Sequence, residues 1–459
     1  MSNSRIGTDA SGSSNVSFQL QQVTFNSVRK VLPDSVVEQA CLDVGHRYRA
    51  RALPPIVTML HMILAAIWPE ESFEASSQLL WDNAVGAFPE LQGKLPASGS
   101  FAKARARLPL ELWQKLWEFL VAKVQVHSEP FASWRGHRVV LVDGTCVSMP
   151  DEPELHAYFG TSTGRGGKRH YPLARLVTLA LANTLTVLAY TVGCYRQSEK
   201  ELLRPLLGHL RKDDLLLGDR LFAGANLYAQ DQAAGLEFLT RAHQRLIVSR
   251  LRPLEGYSPT DFVTDLPLAE AHRRKDPTLP ASVRVRLIQA LLRIRGKRQV
   301  VWFVTSLLDP ATYPAREIVE LYARRWRIET LLEQFKVRLS ADVLRSKTPD
   351  GVRKELAARM VALNVVRAIM LEAAAAHGQD PMTLSFVHAL RAILAFAPVL
   401  ATSPAWKLPA IYQAMLCEIA ARRVPHRPGR LEPRAVRRER KHYPRLRTTR
   451  DNWRHRIAA

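Results

Sequence analysis

Cysteine is scarce in this sequence of 459 residues, and its four examples, Cys41, Cys146, Cys194 and Cys417, lie far apart with no CxxC pair. They provide neither a disulfide framework nor a zinc site, so a reducing compartment is implied. Acidic residues are also short: 42 Asp and Glu face 65 Lys and Arg, giving a formal charge of +23 and a pI near 10.3. That imbalance predicts a polyanionic partner, because each phosphate neutralised by Lys or Arg releases condensed counterions. A basic enzyme with no polymer partner is the reading that charge alone leaves open. No apolar run reads as a membrane span. The stretch Ile56 to Trp68 is shorter than the roughly 20 residues required. Leu176 to Cys194 is long enough, but Asn183-Thr184 interrupts it, and its Val, Thr and Tyr content suits two buried strands joined by a tight turn. Residues 1–17 are polar and Ser-rich, without the apolar centre of a signal peptide, and read as a loose tail. The fourteen histidines show no ligand spacing, and no internal repeat is present.

What is present is a globular composition, 47% hydrophobic, in a chain long enough for two or three domains. Residues 18–126 read as helical, in the segments PDSVVEQACLDVG, PPIVTMLHMILAAIW, ESFEASSQLLWDNA and PLELWQKLWEFLVAKV. Between them, Ser100 is expected to cap a short helix exposing Lys103, Arg105 and Arg107, either the reading helix of a helix-turn-helix or an ordinary solvated face. From 137 to 237, strands (HRVVLVDGT, YPLARLVTLALA, LTVLAYTVG, DLLLGDRLF) mix with helices (SEKELLRPLLGHL, NLYAQDQAAG), which predicts an α/β domain. Residues 238–312 read as a β-rich insertion with strands LEFLTRA, LIVSRL, VRVRLIQALLRI and RQVVWFVTSL, separated by the polar loops PLEGYSPTDF and RRKDPTLPAS. A helix opened by Pro314 occupies 313–345, and further helices fill 346–420. In the tail, 421–459, the stretch Arg422 to Arg456 holds fourteen Lys or Arg against three acids. Its four prolines forbid a single helix, and an arm lying along phosphates is the natural reading.

Chemistry concentrates on the helix that follows Pro314. Each helical residue advances about 100°, so relative to Tyr322 the wheel sets Arg325 at about −60°, Glu329 at about −20° and Lys336 at about −40°. The four share one stripe beside the apolar arc of Leu321, Ile328, Leu332, Phe335 and Leu339, while Arg316, Glu320, Arg324, Arg327 and Gln334 face solvent. An Arg325–Glu329 ion pair four residues apart is the simpler explanation of that stripe. Two further carboxylates enlarge it. Asp143 ends the run Val139-Val140-Leu141-Val142 and precedes Gly144; Asp219 ends Leu215-Leu216-Leu217-Gly218. Strand ends are where α/β sheets carry functional groups, although each Asp alone could form a turn. Three carboxylates of this kind suit a two-metal phosphoryl-transfer site holding Mg²⁺ or Mn²⁺.

The spacing Tyr322, two residues, Arg325, three residues, Glu329, six residues, Lys336 resembles the YREK signature of DDE transposases in the insertion-sequence-4 group. Asp143-Gly144-Thr145, with Pro150-Asp151 downstream, is similar to that family's first-Asp motif, and Gly218-Asp219-Arg220 to its second. The Phe25-Asn26 start and the Gly45-to-Pro54 stretch resemble its N-terminal region, so the likeness runs over roughly residues 20 to 445. The resemblance implies a ribonuclease H-like core, begun by 137–237 and completed by 313–345, with a β-rich insertion between and a helical DNA-binding domain in front. It implies that Asp143, Asp219 and Glu329 ligate two Mg²⁺ or Mn²⁺ ions while Tyr322, Arg325 and Lys336 hold DNA phosphates. The activity implied is cleavage of double-stranded DNA at terminal inverted repeats and joining of the 3′ ends to target DNA, by a dimer on paired ends in the bacterial cytoplasm, at the nucleoid. Some relatives stack a flipped base on a Trp of the insertion; here Val301 occupies that register and Trp302 is one place off, which reverses its face. A ribonuclease H-like nuclease without strand transfer, and an inactive DNA-binding descendant, are the other function classes. Gly160 to Lys168 departs from the P-loop pattern at Ser162 and Arg169, Ser100-to-Lys103 lacks the partners of an SxxK nucleophile, and Glu333 reads as a surface residue.

Overall fold

The computed structural model describes residues 32–48, 53–68, 95–131, 133–163, 169–294, 297–403 and 405–424. The Ser-rich segment 1–17, the ESFEASSQLLWDNA run, Phe25-Asn26, the basic part of the glycine-rich loop and nearly all of the tail lie outside them. Every described helix and strand belongs to the unit Met1–Arg423.

Eleven strands form one mixed sheet: β1 (Ser133–Trp134), β2 (His137–Ser148), β3 (Thr161–Thr163), β4 (Arg169–Leu181), β5 (Val187–Cys194), β6 (Leu215–Gly218), β7 (Glu237–Arg241), β8 (Glu255–Ser258), β9 (Asp261–Pro267), β10 (Ser282–Ile294) and β11 (Lys297–Thr305). Strand β4 runs antiparallel between β2 and β5, and β6 lies parallel to β2 with β7 parallel to β6. Beyond β7 the order continues β11, β10, β9, β8, all antiparallel. The stretch read as two strands around Asn183-Thr184 is indeed β4 and β5, and the turn between them puts Leu185 at φ 55°.

Helices precede, interrupt and follow the strands: α1 (Asp34–Asp43), α2 (Pro55–Ile67), α3 (Ser98–Arg107), α4 (Leu110–Ser128), α5 (Pro153–Phe159), α6 (Glu199–Leu203), α7 (Ala225–Ala233), α8 (Glu270–Lys275), α9 (Ala315–Ala323), α10 (Arg327–Glu333), α11 (Pro349–Ala376), α12 (Phe386–Thr402) and α13 (Leu408–Ala421). Apolar on nearly every side, α2 is buried all round, as its composition requires. It packs with α4 against α11, and their side chains join those of the sheet in one continuous core. Asn364, buried inside α11, donates to the Val187 carbonyl at 2.9 Å and accepts from the Val187 N–H at 3.0 Å, which satisfies backbone groups on β5. A second core lies under α7 and strands β9 to β11, built from residues such as Tyr228, Phe238, Phe262 and Leu287.

Several local expectations are corrected. Asp143 is not at a strand end: β2 continues through it to Ser148, because β4 pairs with it along Val140 to Ser148. LIVSRL is no strand but a short 3₁₀ turn, Val248–Arg250, while the polar run PLEGYSPTDF contributes β8 and the start of β9. Ser100 is not the cap of α3, which starts at Ser98; Lys103 and Arg107 are exposed, and Arg105 is half-buried. The helix after Pro314 is not continuous. A 3₁₀ turn at Arg324–Trp326 separates α9 from α10, and a π turn at Gln334–Arg338 ends it. Those changes of pitch rotate Arg324 and Arg327 from the expected solvent side onto Asn183 Oδ1, at 3.2 and 3.1 Å. Gln334 likewise accepts a hydrogen bond from the buried Arg367.

Candidate active site

The register of β2 against β6 begins the site. Val139, Val140 and Leu141 pair with Leu215, Leu216 and Leu217, and continuing that parallel register by two residues sets Asp219 level with Asp143. Each aspartate is held locally. The Gly144 N–H donates to Asp143 Oδ1 at 2.8 Å, and the Leu221 N–H donates to Asp219 Oδ1 at 2.7 Å, an Asx turn that carries the chain off β6. Gly218 is required just before it, since a Cβ there would stand 2.8 Å from Phe222 Cβ.

Helix α10 packs against β2, and Arg325, just before it, links Asp143 to the third carboxylate, Glu329. Arg325 is 7% exposed; its Nη2 donates to Glu329 Oε1 at 3.0 Å and its Nη1 stands 3.7 Å from Asp143 Oδ2. The Trp326 ring lies 4.5 Å from the same guanidinium. Tyr322 is buried next to Arg325, its ring 4.8 Å from that of Phe303, and burial raises its hydroxyl to a pKa of about 12. Lys336, in the π turn, donates to Thr145 Oγ1 at 3.3 Å and to the Cys146 carbonyl at 3.1 Å. Arg325 and Lys336 therefore reach β2, while Tyr322 packs on Phe303 of β11 and Glu329 is held by Arg325. Glu333 faces away and pairs loosely with Arg338 at 3.8 Å. Trp302 packs in the second core at 5.9 Å from Phe262, while Val301 is buried in the first, so the two point to opposite faces.

The electrostatics are those of a crowded acidic site. Burial pushes the Asp143 carboxyl up to about 6; the Gly144 N–H and Arg325 oppose this, and Asp219 and Glu199 add to it. Glu199 is an acidic neighbour of Asp143 that the sequence reading did not single out. It opens α6, in the run SEKELLRPLLGHL that reads only as a helix. Among the described residues no three His, Cys, Asp or Glu side chains converge closely enough to enclose one ion. Glu329, half-exposed at 48%, is turned onto Arg325 instead of onto the aspartates.

A mixed sheet with β2, β6 and β7 parallel, flanked by helices, makes this an α/β protein, with Asp143 on β2, Asp219 just after β6 and the cation Arg325 beside Asp143. The family model described as the transposase DDE domain matches residues 134–365, and the chain belongs to that family, as a DDE transposase of the insertion-sequence-4 group. It is 26% identical over 364 residues to the transposase InsG for insertion sequence element IS4 of Escherichia coli (strain K12), covering 77% of this chain and 80% of that protein. A cryo-EM structure of a piggyBac transposase synaptic complex with hairpin DNA aligns over 88% of this chain and 86% of its own, at a TM-score of 0.41 and 10% identity.

Proposed function

We propose that this transposase cuts DNA at the terminal inverted repeats of an insertion sequence and joins the freed 3′ ends to target DNA, with Asp143, Asp219 and Glu329 as the ligands of two divalent metal ions. The observation that carries the reading is the β2–β6 register, which sets Asp143 and Asp219 level, together with Arg325 reaching from Asp143 to Glu329. The donor set is all carboxylate oxygen, which suits Mg²⁺ or Mn²⁺. The guanidinium between two of the carboxylates marks the need for positive charge at this point. When bound, the metal supplies an activated water or 3′-hydroxyl and stabilises the leaving oxygen, so no side-chain base is required.

The chain's own residues do the rest. Asp143 and Asp219 are fixed by their strands and backbone donors. Glu329 is the adjustable member: half-exposed and held by one guanidinium, it swings to the aspartates when that guanidinium turns to a DNA phosphate. Arg325 suits such a bidentate contact through its planar fork. Tyr322 and Lys336 flank it as further phosphate contacts. Strands β5, β4, β2 and β6, within 137–237, begin the ribonuclease H-like core in this reading. Residues 238–312 extend it as the β-rich insertion, 313–345 complete it, and 18–126 serve as the DNA-binding domain, with 346–420 as supporting helices and 421–459 as a basic arm. The protein acts on paired ends as a homodimer. Among the described residues no helix is long and apolar enough to cross a membrane.

The test is cleavage of a labelled duplex bearing the element's own terminal repeat, with Mg²⁺, by wild type and Glu329→Ala. Cleavage at the repeat end that the substitution reduces by at least about 10²-fold, with DNA binding intact, is the expected result. Equal cleavage by both proteins removes Glu329 from the site. Cleavage without joining when a target plasmid is added points to the nuclease reading.

A further inference from the structure

Arg325 and Glu329 take their directions from the break between α9 and α10. Around it ψ is −25° at Ala323, −19° at Arg324, −16° at Trp326 and −30° at Arg327, closer to a 3₁₀ helix than to an α-helix. A 3₁₀ residue advances about 120° where an α residue advances about 100°. The three residues Arg324–Trp326 therefore turn everything after them by roughly 60°.

One side chain from the turn between β4 and β5 holds this pitch. Asn183 Oδ1 accepts from Arg324 Nη1 at 3.2 Å and from Arg327 Nη1 at 3.1 Å, and Arg327 Nη1 also donates to the Ala182 carbonyl at 3.0 Å. The two ties bracket Arg325 and Trp326. Asn183 is itself fixed: its Nδ2 donates to the Phe131 carbonyl at 2.8 Å, which leaves the oxygen for the arginines. Beside it, Thr184 Oγ1 donates to Thr186 Oγ1 at 3.0 Å, and Thr186 Oγ1 lies 3.2 Å from Ser128 Oγ at the end of α4. Stability alone does not favour the arrangement. Among the described residues neither Arg324 nor Arg327 makes an ion pair. Burial and the adjacent Arg324 hold Arg327 below its ordinary pKa, which Asp380 offsets in part. Like charges one turn apart repel. Two guanidiniums gathered on one neutral oxygen are explained by where they hold the chain. Between them, Arg325 keeps its Nη1 3.7 Å from Asp143 Oδ2 and donates from Nη2 to Glu329 Oε1 at 3.0 Å.

We propose that Asn183 is a positioning residue for the active site: it keeps Arg324–Trp326 at the 3₁₀ pitch that brings Arg325 beside Asp143 and sets the side of α10 from which Glu329 projects. The proposal rests on the reading of Arg325 and Glu329 given above. A tie that only joined the β4–β5 turn to the helix would need one arginine and no defined pitch at Arg325.

Single-turnover cleavage of the labelled repeat duplex with Mg²⁺, well below the thermal transition of every variant, tests it in wild type, Asn183→Leu, Asn183→Asp, Arg325→Lys and the double variant of Asn183→Leu with Arg325→Lys. Asn183→Leu, similar in size but without the acceptor, is expected to slow cleavage about tenfold to a hundredfold. Asn183→Asp keeps the oxygen and should cleave at close to the wild-type rate. In the Arg325→Lys background, Asn183→Leu should cost less than about twofold more, because both substitutions disturb one group. That coupling is the readout that a general loss of stability does not give. An undiminished loss in the Arg325→Lys background, or an Asn183→Asp as slow as Asn183→Leu, overturns the proposal. Wild-type cleavage by Asn183→Leu, alongside slow cleavage by Arg325→Lys, overturns it and leaves the reading of Arg325 intact. Wild-type cleavage by Arg325→Lys overturns both. Should Asn183→Leu not fold, Asn183→Ser, too short to serve both guanidiniums, replaces it in the same cycle and is read the same way.

Discussion

Single residues in this protein carry charge in places where the surrounding sheet and helices offer little compensation, and Asp231 on α7 is an example remote from the site motifs. It is buried, its Oδ1 has no hydrogen-bond partner among the described residues, and burial raises its carboxyl to about 7 from an ordinary value of 3.8. The folded value lies above the unfolded one. Its contribution to stability is therefore complete below the ordinary value and lost as pH rises through about 7. Across that interval the native state holds one more proton than the unfolded state, so stability falls by up to about 1.4 kcal/mol per pH unit. Asp231→Asn keeps the shape and removes the proton. Urea unfolding of both proteins at several pH values across that interval is expected to show a flatter decline in the variant, by about 1 kcal/mol per unit. Parallel declines would mean that Asp231 gains a partner in solution.

At the scale of elements, the part legible in sequence is the part set by local pattern. Val139 to Val142 and Leu215 to Leu217 are apolar runs bounded by Asp and Gly, so β6 and the first half of β2 follow from composition. The second half of β2 does not. Gly144, Thr145 and Cys146 are strand only because β4 supplies a partner, and that pairing is non-local. The wheel placed Tyr322, Arg325, Glu329 and Lys336 on one stripe, yet it missed the 3₁₀ and π turns, whose stabilising contacts come from Asn183 and Arg367 far along the chain. The approach of Glu199 to Gly144 is hidden for the same reason: nothing near residue 199 announces Gly144. π turns inside helices often mark functional positions, and here the turn aims Lys336 at the β2 backbone. Lys336 therefore clamps the helix to the strand of Asp143 in addition to any phosphate contact. Lys336→Met is expected to lower stability by about 1–2 kcal/mol without DNA, read by urea unfolding, and to reduce cleavage. Unchanged stability with reduced cleavage would leave it a DNA contact alone.

For the molecule as a whole, the dominant quantity is the excess of positive charge, and its distribution matters more than its total. The segment Val424–Ala459, a unit of its own, carries twelve Lys or Arg against three acids. The unit Met1–Arg423 carries the catalytic candidates and a continuous core, so the two contributions to DNA binding are separable by truncation. Binding that depends on phosphate neutralisation falls with salt, with a slope in log–log form of about −0.9 for each phosphate contacted. If the arm lies along the backbone, a chain ending at Arg423 should lose roughly four to seven units of that slope. It should keep its preference for repeat over random duplex, because phosphate contacts fix position while base contacts carry sequence. Fluorescence anisotropy of labelled duplexes over a range of salt concentrations measures both quantities in one series. An unchanged slope would assign the arm no phosphates and shift the electrostatic role to the helical N-terminal residues. A lost preference with the slope unchanged would make the arm a reader of sequence.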